Sequence, residues 1–249
     1  MAFYDSFLSK KHGGFSKQIL VYFNTVLARF ILKHLISDRP ADILEIGPGK
    51  GYFYEGLRAA DKHITYSAMD RNKAILEQFK NVKTYVCEVP HIPDLGKKFD
   101  IIYAAFVVEH LNNGREVYEF IASCKKILKI GGLIVFQCPD AARQKFEFWN
   151  IDYTHIFPTT KRNMMMAFHE NNIEDVKMYD INGLCTHPHF DNRLLYRLER
   201  LIMFPYSYAF MSFIFWPLYR KPLYDLHNFW YSIYCFFKEE NLLIIAKVD

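Results

Sequence analysis

A doubly wound, mostly parallel α/β sheet is the fold this sequence predicts, and three observations predict it. Short apolar strand patterns alternate with helical ones from about residue 41 to residue 181. The first strand pattern, 41–47, runs straight into a turn with glycines at 47, 49 and 51, and a helical pattern follows. Acids close the second and third strand patterns, at Asp70 and Glu88, on the edge where an open sheet of this kind receives its ligand.

The elements follow in order. A chain of 249 residues is long enough for one α/β domain with a subdomain. Ile19, Tyr22, Phe23, Val26, Leu27, Phe30, Ile31 and Leu35 recur at helical spacing, which predicts an amphipathic helix over 15–36 behind an N-terminal arm. Strands are predicted at 41–47, 63–70, 82–88, 99–106, 133–138, 175–181 and 242–248. Helices are predicted to about Ala60 after the first strand and over 73–79 after the second. After the fourth, a helical face runs from Val117 to Leu128, with Gly131-Gly132 as its stop. Thr159 or Thr160 caps a further helix through Glu170, beyond an irregular loop. The chain thus divides into an arm and helix (1–40), a core (41–184 with 240–249) and an aromatic-rich helical insert (185–239) between strands six and seven.

Charge and cysteine usage narrow the partners. A formal net charge of +4, carried by isolated basic pairs, argues against nucleic acid. The five cysteines form no C-x-x-C pair, so neither a disulfide framework nor a thiolate zinc site is expected. With no leader pattern at Met1, a cytoplasmic protein is expected.

The glycine turn separates two ligand classes. A dinucleotide site wants G-x-G-x-x-G, but its third glycine would fall at Tyr52. Here the spacing is G-x-G-x-G, with Glu45 two residues ahead of Gly47. Asp70, followed by Arg71, can accept two hydrogen bonds from a ribose diol. Glu88 is placed to receive the exocyclic amine of an adenine.

From about Ala41 to Gly132 the chain resembles the class I, seven-stranded S-adenosylmethionine methyltransferases. The stretch Phe99–Leu111 is similar to that family's fourth-strand motif, and Gly131–Val135 to its fifth-strand entry. The resemblance implies a Rossmann-like fold and S-adenosylmethionine as cofactor. It places Glu45, Gly47 and Gly49 beside the methionine part, Asp70 at the ribose and Glu88 at the adenine, with Gly51 and Arg71 also in the expected cofactor-binding set. Phe106 and Val107 would wall the pocket near the sulfonium. Asp152-Tyr153-Thr154-His155 is similar to a short segment of bacterial methyltransferases associated with surface polysaccharides.

Methyl transfer to oxygen needs an aligned acceptor and a base near neutral pKa, so histidine is the natural candidate. His155, in the loop after strand five, reads as the base or acceptor-binding group or as a tie that holds the loop down, with Asp152 orienting its ring or capping the turn. His110 reads as a structural or cofactor-shell group. Glu109-His110 also resembles part of the metal site of small-RNA 3′-end methyltransferases. That site needs a further glutamate where this chain has Phe106, so no metal is expected.

The predicted function is O-methylation of a glycan or related small acceptor. Methylation of an apolar small molecule such as a quinone or lipid stays open, as does a cofactor-binding partner subunit without catalysis. A nicotinamide oxidoreductase is disfavoured by Tyr52 and Glu45. Residues 197–221, aromatic and flanked by Arg197, Arg200, Arg220 and Lys221, fit peripheral membrane contact, an acceptor lid, a homodimer surface or an added helical layer.

Overall fold

The computed structural model describes residues 14–35, 40–182 and 239–249. Seven strands form one sheet in the order β3-β2-β1-β4-β5-β7-β6. They are β1 (Asp42–Ile46), β2 (Thr65–Asp70), β3 (Lys83–Val86), β4 (Phe99–Ala105), β5 (Leu128–Pro139), β6 (Asp175–Asn182) and β7 (Glu239–Lys247). β1 to β5 run parallel, while β7 pairs antiparallel with β5 and β6. The predicted fold class is therefore the observed one.

The central strands are apolar on consecutive positions because both faces of the sheet are covered. Leu44, Ile102, Ile134, Phe136 and Ile244 face α4 (Gly114–Ile127) and α7 (Lys161–Glu170), against Val117, Phe120, Cys124, Met164 and Phe168. Ile43, Ile101, Tyr103, Val135 and Ile245 face the other way, against Leu27, Ala28 and Ile31 of α1 (Gly14–Leu32) and Phe53 and Leu57 of α2 (Tyr52–Ala60). At the N-terminal edge of the strands, Lys129 Nζ bridges Asp42 (2.7 Å) and Asp100 (2.8 Å), and Lys97 adds a second cation on Asp42 (3.0 Å). That edge is thereby closed by ion pairs, and the opposite edge is left for a ligand.

Four predicted elements differ. The helix over 73–79 is the single turn α3 (Lys73–Leu76), capped by the Asn72 side chain. Strand three ends at Val86, which leaves Glu88 beyond it. Gly131-Gly132 does not stop a helix: α4 ends at Ile127 and β5 begins at once with Leu128. The pairing jumps from Phe99↔Leu128 to Ile101↔Leu133, so the glycines lie in a bulge inside the strand. The loop after β5 holds two short helices, α5 (Ala141–Gln144) and α6 (Glu147–Ile151), and Thr160, accepting from the Asn163 N–H, is the cap of α7. The N-terminal arm and nearly all of the aromatic insert lie outside the described residues. Among the described residues, no helix is long and apolar enough to cross a membrane.

The seam between α1 and α2 depends on Gly56. A Cβ there would stand 2.6 Å from the backbone carbon of Asn24 and 2.7 Å from the nitrogen of Thr25. Neither backbone atom can rotate away, so Gly56→Ala should push the helices apart and cost about 1–3 kcal/mol, as overpacking typically does. A urea midpoint equal to that of the unchanged protein would refute this account.

Candidate active site

The order of strands reverses between β1 and β4: the chain moves outward from β1 to β3, then returns to β4 on β1's other side. Loops leaving the C-terminal ends of β1 and β4 therefore diverge and open a crevice, the usual ligand position in such a sheet. Gly47 and the Phe106–Val107 pair sit at those two ends.

The turn after β1 needs its glycines. Gly47 has φ +71°, donates to the carbonyl of Met69 (2.8 Å), and a Cβ on it would fall 2.9 Å from Val107 Cγ2. Gly51, φ +76°, caps α2, whose first-turn N–H groups stand at the crevice. Glu45, just ahead of the turn, is 3% exposed and accepts a 2.5 Å hydrogen bond from the Tyr66 hydroxyl. Burial pushes its pKa up to about 8, with the Tyr66 bond opposing. In the protein without ligands, Glu45 thus braces the root of the turn.

Asp70 closes β2 at the same edge. Its Oδ1 accepts from the Asn72 N–H (2.8 Å), and burial raises its pKa. Arg71 Nη1 reaches Glu88 Oε1 at 3.3 Å, both side chains being largely exposed. The residues expected at ribose and adenine thus line one rim, joined by an ion pair that solvent weakens. Phe106 ends β4 with φ +56°, a left-handed conformation unusual for a bulky residue, and donates its N–H to the Gln137 carbonyl (2.8 Å). Its side chain is 42% exposed at the mouth of the crevice.

A second group lies directly beyond it. A 3₁₀ turn, Val108–His110, places the Glu109 side chain fully inside the protein, with neither carboxylate oxygen hydrogen-bonded among the described residues. Burial raises its pKa to about 8, and nearby Asp152 adds to the rise. The Glu109 carbonyl accepts from the N–H groups of Ile156 (2.8 Å) and Phe157 (3.1 Å), which pins the 152–157 loop beneath β4. His155 is thereby carried to His110, with ring centroids 5.2 Å apart. Donor atoms of Glu109, His110 and His155 all lie within 4.8 Å of one another.

Hydrogen bonds fix both tautomers. His155 Nδ1 lies 2.6 Å from the Phe148 carbonyl and so carries the hydrogen. His110 Nδ1 faces the Thr154 carbonyl (3.2 Å) and its hydroxyl (3.0 Å), and that hydroxyl already donates to Asp152 Oδ1 (2.7 Å). His110 Nδ1 is therefore also a donor, and in both neutral rings Nε2 presents a lone pair. Asp152 orients His110 through Thr154; it does not orient the His155 ring, which a main-chain carbonyl holds. The expectation of a direct Asp152–His155 link is corrected on that point. Burial lowers the pKa of His110, which favours its neutral form. Sequence reasoning had singled out both histidines but missed Glu109 as a buried, unsatisfied acid and Thr154 as the link between Asp152 and His110.

A family model described as a methyltransferase domain matches residues 20–178. Among solved structures, the chain is similar to a SAM-dependent methyltransferase from Archaeoglobus fulgidus (17% identity, TM-score 0.55, covering 90% of this chain and 92% of that one). It is also similar to the plantazolicin methyltransferase BpumL in complex with SAH (11%, TM-score 0.56, 94% and 85%). A third likeness is to Haemonchus contortus phosphoethanolamine N-methyltransferase 2 bound to S-adenosyl-L-methionine (16%, TM-score 0.54), where 90% of this chain covers 52% of that one. A search of curated proteins finds no significant match.

The buried acid of the turn can be tested by pH. A carboxyl whose folded pKa exceeds its unfolded value contributes stability that is present below about 4.5 and lost as pH rises towards about 8. Glutamine is neutral throughout and keeps an acceptor for Tyr66. Glu45→Gln should therefore gain stability over the unchanged protein between pH 5 and pH 8, read from urea midpoints across that range. A difference that stays constant with pH would contradict the assignment.

Proposed function

The chain belongs to the methyltransferase-domain family, class I and dependent on S-adenosylmethionine, and from that premise we propose that it methylates a hydroxyl oxygen of a glycan or related small acceptor. The observation that carries the proposal is the pair of imidazoles at the end of β4, each with Nε2 directed away from its Nδ1 anchor. His110 follows Phe106–Val107, where the family resemblance puts the sulfonium, and His155 lies beside His110. An acceptor oxygen held there attacks the methyl carbon, the carbon–sulfur electron pair passes to sulfur to leave S-adenosylhomocysteine, and the hydroxyl proton goes to an imidazole. The similarity of Asp152–His155 to polysaccharide-associated methyltransferases supports a glycan.

A second reading has its own support. Trp149, Ile151, Tyr153 and Ile156, on and beside the loop that carries His155, are exposed. Such a fringe also suits an apolar acceptor such as a quinone or lipid. We place the protein in the cytoplasm on its cysteine usage; residues 197–221 as a membrane contact or dimer surface belong to the same proposal.

Two measurements test it. Asp70→Ala should weaken S-adenosylhomocysteine binding by about 1–3 kcal/mol in calorimetric titration, since a charged acceptor to the ribose diol would be lost. Unchanged affinity in a folded variant would remove Asp70 from the cofactor site. In the second, methyl transfer from labelled cofactor is followed on a panel of oligosaccharides, quinones and lipids. Glycan labelling that falls about 100-fold or more in His155→Ala, with cofactor affinity intact, is the expected result. Labelling confined to the quinones or lipids would favour the second reading.

A further inference from the structure

We propose that Glu109, His110 and His155 form a binding site for one divalent transition-metal ion, Zn²⁺ being the first choice and Mn²⁺ or Fe²⁺ the alternatives. Sequence alone argued against a metal because Phe106 stands where a related site has a second glutamate. The structure brings in a donor that sequence spacing did not show, His155 from the loop after β5.

Three independent features point to a cation. The first is composition: two imidazoles and one carboxylate are the protein ligand set of catalytic zinc sites and of the facial triad of non-haem iron, whereas Mg²⁺ prefers an all-oxygen shell. The second is the Glu109 carboxylate, fully buried and with neither oxygen hydrogen-bonded among the described residues. Folding would not strand two strong acceptors in this way unless something positive answers them. The third is the support around the ligands. Metal-bound histidines hold their second nitrogen on a carbonyl or carboxylate, and both rings do so here. His155 uses the Phe148 carbonyl, and His110 uses Thr154, itself fixed by Asp152.

The distances fit a single shared ion. Two donors bonded to one ion at about 2.1 Å lie at most about 4.2 Å apart. The present spread, within 4.8 Å, closes with a side-chain movement of about 0.5–1 Å at each residue. Phe106 donates nothing, so the three protein ligands would leave coordination positions open for a further ligand. The part that rests on the proposed function is what the ion would do: it would take the acceptor oxygen as a further ligand, lower its pKa and release its proton to water. The imidazoles would then be ligands, and the ion would replace them as the activating group.

The test separates the site from the reaction. Full-length protein stripped with EDTA is titrated calorimetrically with ZnCl₂, MnCl₂ and MgCl₂, and with CoCl₂ followed by visible absorption. S-adenosylhomocysteine is titrated alongside. One equivalent of Zn²⁺ and of Co²⁺ should bind, with no saturable Mg²⁺ binding. Glu109→Gln and His155→Ala should each weaken Zn²⁺ by at least about 100-fold. Thr154→Val should cost about 10-fold, as loss of an outer-shell partner does. Thermal melts in EDTA establish that the variants fold, and their S-adenosylhomocysteine affinity should be unchanged. Absence of transition-metal binding, or binding undiminished in both ligand variants, would overturn the site. Failure of S-adenosylhomocysteine to bind while Zn²⁺ does would instead refute the methyltransferase reading and leave the metal site standing.

Discussion

The reversal of strand order at β1 and β4 is the constraint from which the rest of the molecule follows. Central strands covered on both faces have no side surface to offer a ligand, because their alternating residues all enter one of two cores. Chemistry is therefore confined to strand ends, and one end is occupied by the Asp42–Lys129–Asp100 ion pairs. At the other, the loops after β1 and β4 separate and must be built from residues that tolerate the divergence. Gly47 accepts a left-handed backbone within reach of Val107, and Phe106 adopts one despite its bulk. Strain of that kind at a bulky residue persists only where surrounding contacts impose it, and it gathers at functional sites.

Two buried glutamates show how differently the same side chain can be used. Glu45 and Glu109 are both inside, and burial raises the pKa of each to about 8. Glu45 has a hydroxyl partner and sits between the sheet and its helices, a structural position that keeps a glycine turn in register. Neither Glu109 carboxylate oxygen is hydrogen-bonded among the described residues, and its neighbours are two imidazoles whose Nδ1 hydrogens point elsewhere. The contrast is between a polar group that folding has satisfied and one that it has left for something else. Buried carboxylates without partners are rare for the reason that makes this one informative: desolvation must be offset by some interaction.

Much of the architecture was legible because strand and helix periods differ and because glycine and proline punctuate them. All seven strands were legible, and Gly47, Asp70 and Glu88 do lie at the same C-terminal edge of the sheet. What escaped was set by tertiary contact. Gly131-Gly132 has the composition of a helix stop, yet Leu128 pairs with Phe99 of β4, and main-chain hydrogen bonds between Gly131-Gly132 and Val248 carry the strand across the glycines. Asp152 lies three residues from His155, which suggested a direct link, but Thr154 intervenes and turns the carboxylate towards His110. Glu109 was visible only as part of a pair with His110. No local pattern reveals that its carboxylate is sealed inside or that residue 155 returns to it across 46 positions of sequence.

The return of that loop joins two events that sequence keeps apart. The Glu109 main-chain carbonyl accepts both Ile156 and Phe157, so the residue that buries the acid also fixes the loop that delivers the second imidazole. A loop that only needed anchoring could have used any exposed carbonyl of the 3₁₀ turn. Anchoring it at Glu109 couples backbone and side-chain positions within one residue, and precision at the donor set follows without further ordering of long side chains. The same coupling explains why the acid can sit unpartnered in a well-formed core. The hydrogen bonds to its carbonyl, the Phe148 contact to His155 and the Asp152–Thr154 bridge to His110 hold the three side chains together. Burial favours the protonated, neutral form of that acid, so a cation that binds there has to displace the proton.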